Sequence, residues 1–183
     1  MFTPIRTAAF AFALGLSPAL AMENPMVGGA PMLAERNIVE NALNSADHTT
    51  LVAAVQAAGL VDALQGDGPM TVFAPVNAAF EALPPGTVET LLQPENRAML
   101  QRILTSHVVA GNLTGPEIMR RARANGDGFF HMQTLSGAPL SAQVRGGSLW
   151  IYDQSGNAGR VTISDVNQSN GVIHVVDSVL LPR

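Results

Sequence analysis

The apolar residues of this chain change their spacing once, near Phe129: before it they recur at helical intervals, and after it they alternate. Ile38, Val39, Ala42 and Leu43 share one helical face. Leu51, Val52, Val55 and Ala58 share another, with Asp47 placed as N-cap and Gly59 as the stop. Leu60 to Leu64 reads as a further helical turn. Met70 to Pro75 reads as a short buried strand closed by its proline. Residues 77–83 form a short helix broken by Pro84-Pro85-Gly86. Thr87 is a candidate cap for the next helix, and Pro94 opens another whose apolar face is Met99, Leu100, Ile103 and Leu104. Beyond Phe129, short alternating runs begin at Met132, Leu140, Leu149 and Arg160, split by Gly-rich turns, as in an antiparallel meander. The last run, Val172 to Leu181, is the longest. Val172, His174, Val176 and Ser178 fall on one face, and Ile173, Val175, Asp177 and Val179 on the other. Both faces are largely apolar, so this strand is expected at the centre of the sheet. Helices first and strands last predict an α+β fold.

A sequence of 183 residues with no internal repeat leaves room for one domain and a leader. Hydrophobic residues make up 47% and charged residues 13%, which excludes a disordered chain. No cysteine is present, which removes disulfides, thiol nucleophiles and Cys-ligated metals together. All ten basic residues are arginine, the net charge is −4, and no basic stripe interleaves with aromatics. Nucleic acid is therefore not expected as a partner.

Residues 1–21, MFTPIRTAAFAFALGLSPALA, carry one charge (Arg6), an apolar run from Ala8 to Leu16, and small residues at Ala19 and Ala21 after Pro18. That is a signal-peptide pattern, too short to stay as a membrane span. It places the mature chain in the periplasm or outside the cell, with no membrane span after cleavage. Residues 22–36, MENPMVGGAPMLAER, have no period and read as a flexible Met/Pro/Gly arm. The domain is expected over 37–183.

Two stretches then resemble the signature blocks of the fasciclin domain family. One is Thr71-Val-Phe-Ala-Pro-Val-Asn-Ala-Ala-Phe80; the other is Asn170-Gly-Val-Ile-His-Val-Val-Asp-Ser-Val-Leu-Leu-Pro182. Between them, Ser106-His107 stands where the family has Tyr-His, and Val76 stands where it has Ser or Thr. The resemblance covers about 145 residues, the order and spacing of the blocks included. It implies a cluster of short helices on a twisted, mostly antiparallel sheet wedge. It also implies a non-enzymatic module for cell adhesion or protein–protein contact, whose partner is a surface or matrix protein or a glycan. Thr71, Phe73, Pro75, Asn77, Phe80, His107, Gly171, His174 and Asp177 are its motif residues, expected to be mainly structural, with Asn77 capping the helix it opens.

His107 and His174 sit in apolar runs and read as buried, hydrogen-bonded histidines rather than bases. No Gly-x-Ser-x-Gly elbow exists, and a hydrolase would have to be assembled from His131, a distant Ser and an Asp. No cofactor is expected. The alternative reading is a periplasmic metal or small-ligand handling protein that uses the arm, where Met22, Met26 and Met32 offer thioethers to Cu(I). For partner contact, some matrix members of the family carry Pro-Asp-Ile just before the last block. The positional match is Ser164-Asp165-Val166, so Asp165, Val166 and Asn167 are the expected contact surface.

Overall fold

In the computed structural model, residues 24–182 are described; residues 1–23, which include the expected leader and Met22, and Arg183 lie outside the described residues. The first described segment departs from the sequence reading. Residues 24–36 are not a loose arm. Met26–Val27 (β1) and Ala30–Pro31 (β2) pair as a hairpin, with Gly28 and Gly29 at φ 60 and 75° forming its turn. The Gly-Gly pair that looks like a flexible spacer is the pair of positive-φ residues a two-residue turn requires. A Cβ at Gly28 would also strike Ser45 and the backbone beside it. Val27 and Met32 are buried in the core, and the Asn24 side chain exchanges hydrogen bonds with the Asn167 backbone.

Helices follow in the expected order. α1 (Ile38–Ala42) starts with a capping box between Asn37 and Glu40. A 3-10 turn over Ala46–His48 precedes α2 (Thr49–Ala58), which stops at Gly59 in the left-handed region. α3 (Val61–Gln65) and β3 (Met70–Pro75) come next, then α4 (Asn77–Glu81), α5 (Thr87–Leu91) and α6 (Arg97–Thr105). β4 (Val108–Ala110) leads to α7 (Gly115–Ala124), which Thr114 caps. The meander is β5 (Phe129–Gln133), β6 (Pro139–Arg145), β7 (Ser148–Tyr152), β8 (Ala158–Gln168) and β9 (Gly171–Val176).

Two caps differ from expectation. Asp47 makes no cap bond to α2. That duty falls to Asn77, whose carboxamide oxygen accepts from the Thr50 N–H (3.0 Å) and whose amide donates to the Ala46 carbonyl (2.9 Å). Asn77 is thus spent on a helix 28 residues upstream rather than on its own. Val76, the actual cap position of α4, supplies no side-chain bond.

One seven-stranded sheet runs β4-β3-β9-β8-β7-β6-β5. β3 and β9 are parallel, and every other pair is antiparallel. Both β3 and β9 are buried along their whole length, as expected for a strand apolar on both faces. Val72, Ala74, Ile173 and Val175 face a helix-side core with Leu51, Phe80 and Leu100. Phe73 and Val176 face a second core built from Leu140, Ile151 and Ile118. Each fully buried Val, Ile or Leu stabilises by roughly 1.5–3 kcal/mol. β8 changes partner along its length, from β7 to β9, and its register slips between Ile163 and Val166.

Candidate functional site

The motif residues form the joint between the two cores. Thr71 Oγ1 donates to the Gly111 carbonyl (2.7 Å) and accepts from the Leu113 N–H (2.9 Å). Phe73 stacks on the His174 ring at 5.6 Å. The His174 Nδ1 accepts from the Asp165 N–H (3.3 Å), so its Nε2 carries the proton and donates to the Leu113 carbonyl (2.7 Å). His107 is the opposite tautomer: Nε2 accepts from the Leu180 N–H, and Nδ1 donates to the Ile103 carbonyl, both at 2.9 Å. Burial pushes the His107 imidazole down from 6.5 to about 4 and lowers His174 as well, so both rings are neutral. Pro75 ends the parallel ladder opposite Val176, and Phe80 packs in the helix-side core. Gly171 lies against the Met70 carbonyl, where a Cβ has no room. Asp177 accepts from the Arg160 N–H at 2.8 Å. Asp153, which the sequence did not single out, is buried and pins the C-terminal segment by accepting from the Leu181 N–H (2.9 Å).

The expected contact triplet is bound up in the same framework. Asp165 sits at φ 59° in the β8 irregularity and accepts from the Gly115 N–H (2.7 Å) at the start of α7. Asn167 is held by Asn24. Val166 is 0% exposed and belongs to the helix-side core, so it is no contact residue. The slipped register of β8 turns it inward.

The structure does bring His131, a serine and an aspartate together. Ser141 Oγ lies 2.9 Å from His131 Nδ1, and Asp127 Oδ2 lies 2.9 Å from Nε2. The His131 and Asp127 side chains are 57% and 52% exposed, so water competes for each of these bonds. Ser141 lies on a strand paired on both sides, and its neighbouring N–H groups are taken by the ladders rather than free for an oxyanion. The row lacks the buried acid and the donors that acyl transfer uses. Among the described methionines of the N-terminal segment, Met32 is buried and Met26 is 58% exposed, so they do not form a thioether pair. Among the described residues, no group of three or more His, Asp or Glu is placed to hold a metal ion.

The surface that the sequence reading missed is the outward face of the meander. Phe129, Gln143, Trp150 and Arg160 are cross-strand partners there, as are His131, Ser141 and Tyr152. Phe129 meets the Tyr152 ring edge-on at 5.7 Å. The Arg145 guanidinium lies 5.7 Å over Trp150 and donates to the Tyr152 hydroxyl (3.0 Å). The signal was present in Leu149-Trp150-Ile151-Tyr152. Strand alternation puts the chain's lone Trp and lone Tyr on the face opposite Leu149 and Ile151.

Comparison with known proteins agrees with this architecture. The family model described as "Fasciclin domain" matches residues 46–182. The chain belongs to the fasciclin domain family. This fasciclin domain is 43% identical to Protein sll1483 of Synechocystis over 183 residues, covering 96% of this chain and 93% of that protein. It is 39% identical to Immunogenic protein MPB70 of Mycobacterium bovis over 146 residues (77% of this chain, 66% of that one). Cell surface glycolipoprotein MPB83 of the same species is 34% identical over 168 residues (88% and 68%). Among solved structures, a FAS1 domain pair from the insect cell adhesion molecule Fasciclin I superposes with a TM-score of 0.71 at 19% identity. That match covers 84% of this chain and 52% of the pair, and it establishes the fold.

Two positions set this fasciclin domain apart from the family pattern. Ser106, in place of Tyr, is buried and donates to the Ile103 carbonyl at 2.5 Å, closing α6 with its own hydroxyl. Val76 leaves α4 without a side-chain cap. Among the described residues, no helix is long and apolar enough to cross a membrane.

Proposed function

We propose that this fasciclin domain is a secreted, non-enzymatic binding module of the periplasm or cell exterior. It mediates surface adhesion or protein–protein contact through the outward face of β5, β6 and β7. The observation that carries this reading is the cluster of Phe129, Trp150, Tyr152 and Arg145 on one half-exposed sheet face. Trp, Tyr and Arg are the residues over-represented where interfaces bind most strongly, because each buries a large rigid area and keeps a polar edge. Envelope placement is supported by the leader pattern and by the mycobacterial relative named as a cell surface glycolipoprotein. A non-enzymatic role is supported by the motif histidines, whose ring nitrogens are both spent on backbone groups.

The test is affinity capture from envelope and culture-supernatant fractions with the mature chain, its Trp150→Ala form and its Asp165→Ala form as baits. A partner identified with the native chain and with Asp165→Ala, but lost with Trp150→Ala, is the expected result. A partner lost only with Asp165→Ala would move the surface to β8. Equal capture by all three, or none, would overturn the assignment of the sheet face.

A further inference from the structure

The helix-side core is not filled. A cavity of about 110 Å³ lies between α2 and the sheet, and its walls are almost wholly apolar. One wall is a stripe of α2: His48 just before its start, then Leu51, Val52, Val55 and Gln56. That stripe rises about 12 Å along the helix axis. Val72 and Ile173 form the opposite wall. At one end the lining reaches the surface at Gln56, at Gln65 and at Leu43, which is 56% exposed. At the other end it includes buried His48. So small a volume drawn out over that length is a slot, open at the Gln56, Gln65 and Leu43 rim and closed at His48.

His48 is the chemical singularity of this slot. Its Nδ1 is hydrogen-bonded to Ser45 Oγ at 2.9 Å, while its Nε2 is buried and, although the Ala74 backbone carbonyl lies near the ring, makes no hydrogen bond of good geometry among the described residues. His107 also lines the cavity, but both of its ring nitrogens are engaged. A buried nitrogen left unpaired is costly. Water is a poor remedy, because an ordered water needs two or more polar partners and apolar cavities of this kind stay dry. A ligand that fills the slot with hydrocarbon and presents one oxygen at its inner end removes both defects at once.

We propose that this slot binds a slender apolar molecule, a single unbranched hydrocarbon chain ending in a hydroxyl or carbonyl oxygen. The oxygen pairs with His48 Nε2, and the chain lies along Leu51, Val55 and Ile173. The site is separate from the outward sheet face, so either assignment stands or falls without the other.

The probes are 1-octanol and 1-chlorooctane, titrated into the mature chain and followed through the methyl NMR signals of Leu51, Val55 and Ile173. Saturable shifts with 1-octanol are expected, with affinity about tenfold above that for 1-chlorooctane, the worth of one buried hydrogen bond. His48→Phe should bring 1-octanol down to the level of 1-chlorooctane. Val52→Trp, at a half-exposed lining position that tolerates a larger side chain, should abolish binding of both. No saturable shift in the native chain would overturn the site. Equal affinity for the two probes would overturn the role of His48, and unchanged binding in Val52→Trp would place the ligand elsewhere.

Discussion

The two sides of the β3–β9 ribbon treat the same residue type in opposite ways. On the meander side, His174 is stacked on Phe73 and both ring nitrogens are bonded to backbone. On the helix side, His48 is also buried, yet among the described residues one nitrogen makes no hydrogen bond of good geometry and the ring borders empty space. A buried polar group whose bonds are complete acts as a rivet, and its removal damages the structure. A buried polar group beside a void is a place where something can be gained. Burial alone does not separate the two; the hydrogen-bond inventory does.

Exchanging the same side chain on both sides breaks the comparison most directly. His174→Phe strands the Asp165 N–H and the Leu113 carbonyl, and should cost about 4 kcal/mol, at roughly 1–3 kcal/mol for each unpaired group. His48→Phe strands only the Ser45 hydroxyl and removes the unpaired nitrogen, so it should lie within about 1 kcal/mol of the native chain. Urea unfolding of the two variants measures both. Equal losses would mean that the two histidines do the same work.

Acid sharpens the contrast. The folded His107 titrates near 4 against 6.5 in the unfolded chain, so between those values the unfolded state binds more protons. The stabilisation is fully present above pH 6.5 and is lost as the pH falls toward 4. It amounts to about 3 kcal/mol at 1.36 kcal/mol per pH unit. His174 and His48 are lowered too and add to the slope in the same direction. Urea midpoints taken from pH 7.5 to 4 should fall steadily, and the His48→Phe chain should fall less steeply than the native one. A flat profile would place the rings in a more polar setting than the structure gives them.

The smallest effect probes packing. Ala142→Val, at a fully buried position of the meander-side core, should destabilise by about 1–2 kcal/mol through overpacking. Ala74→Val, whose added methyls enter the helix-side cavity, should stabilise by about 0.5–1 kcal/mol. Thermal melts of the pair decide it; a loss of the same size at both would mean that the cavity closes in solution.

The periodicity of single segments was a sound guide to the elements. The two apolar faces read from Val172 onward placed β9 inside the sheet, but it stops at Val176, and the longest and middle strand is β8; Gly59 ended α2 where it was read to do so. What stayed hidden depends on partners far away in the chain. Asn77 looks like a local cap but reaches back to Thr50 and Ala46. Gly28-Gly29 looks like a spacer until Ser45 is seen packed against it. Val166 was read outward by position in a motif, whereas the register slip in β8 rotates it into the core. The void beside His48 leaves no trace in the sequence, because a cavity is a relation between α2 and β9 rather than a property of either.

The parallel pairing of β3 with β9 also governs when the protein can exist as a folded body. Residue 70 lies beside residue 171 and residue 75 beside residue 176, so the centre of the sheet is assembled from chain segments about a hundred positions apart. Until β9 has been synthesised, β3 has an empty flank and the helices have half a floor. Such long closures are slow. The sheet is whole only once β9 has taken its place between β3 and β8.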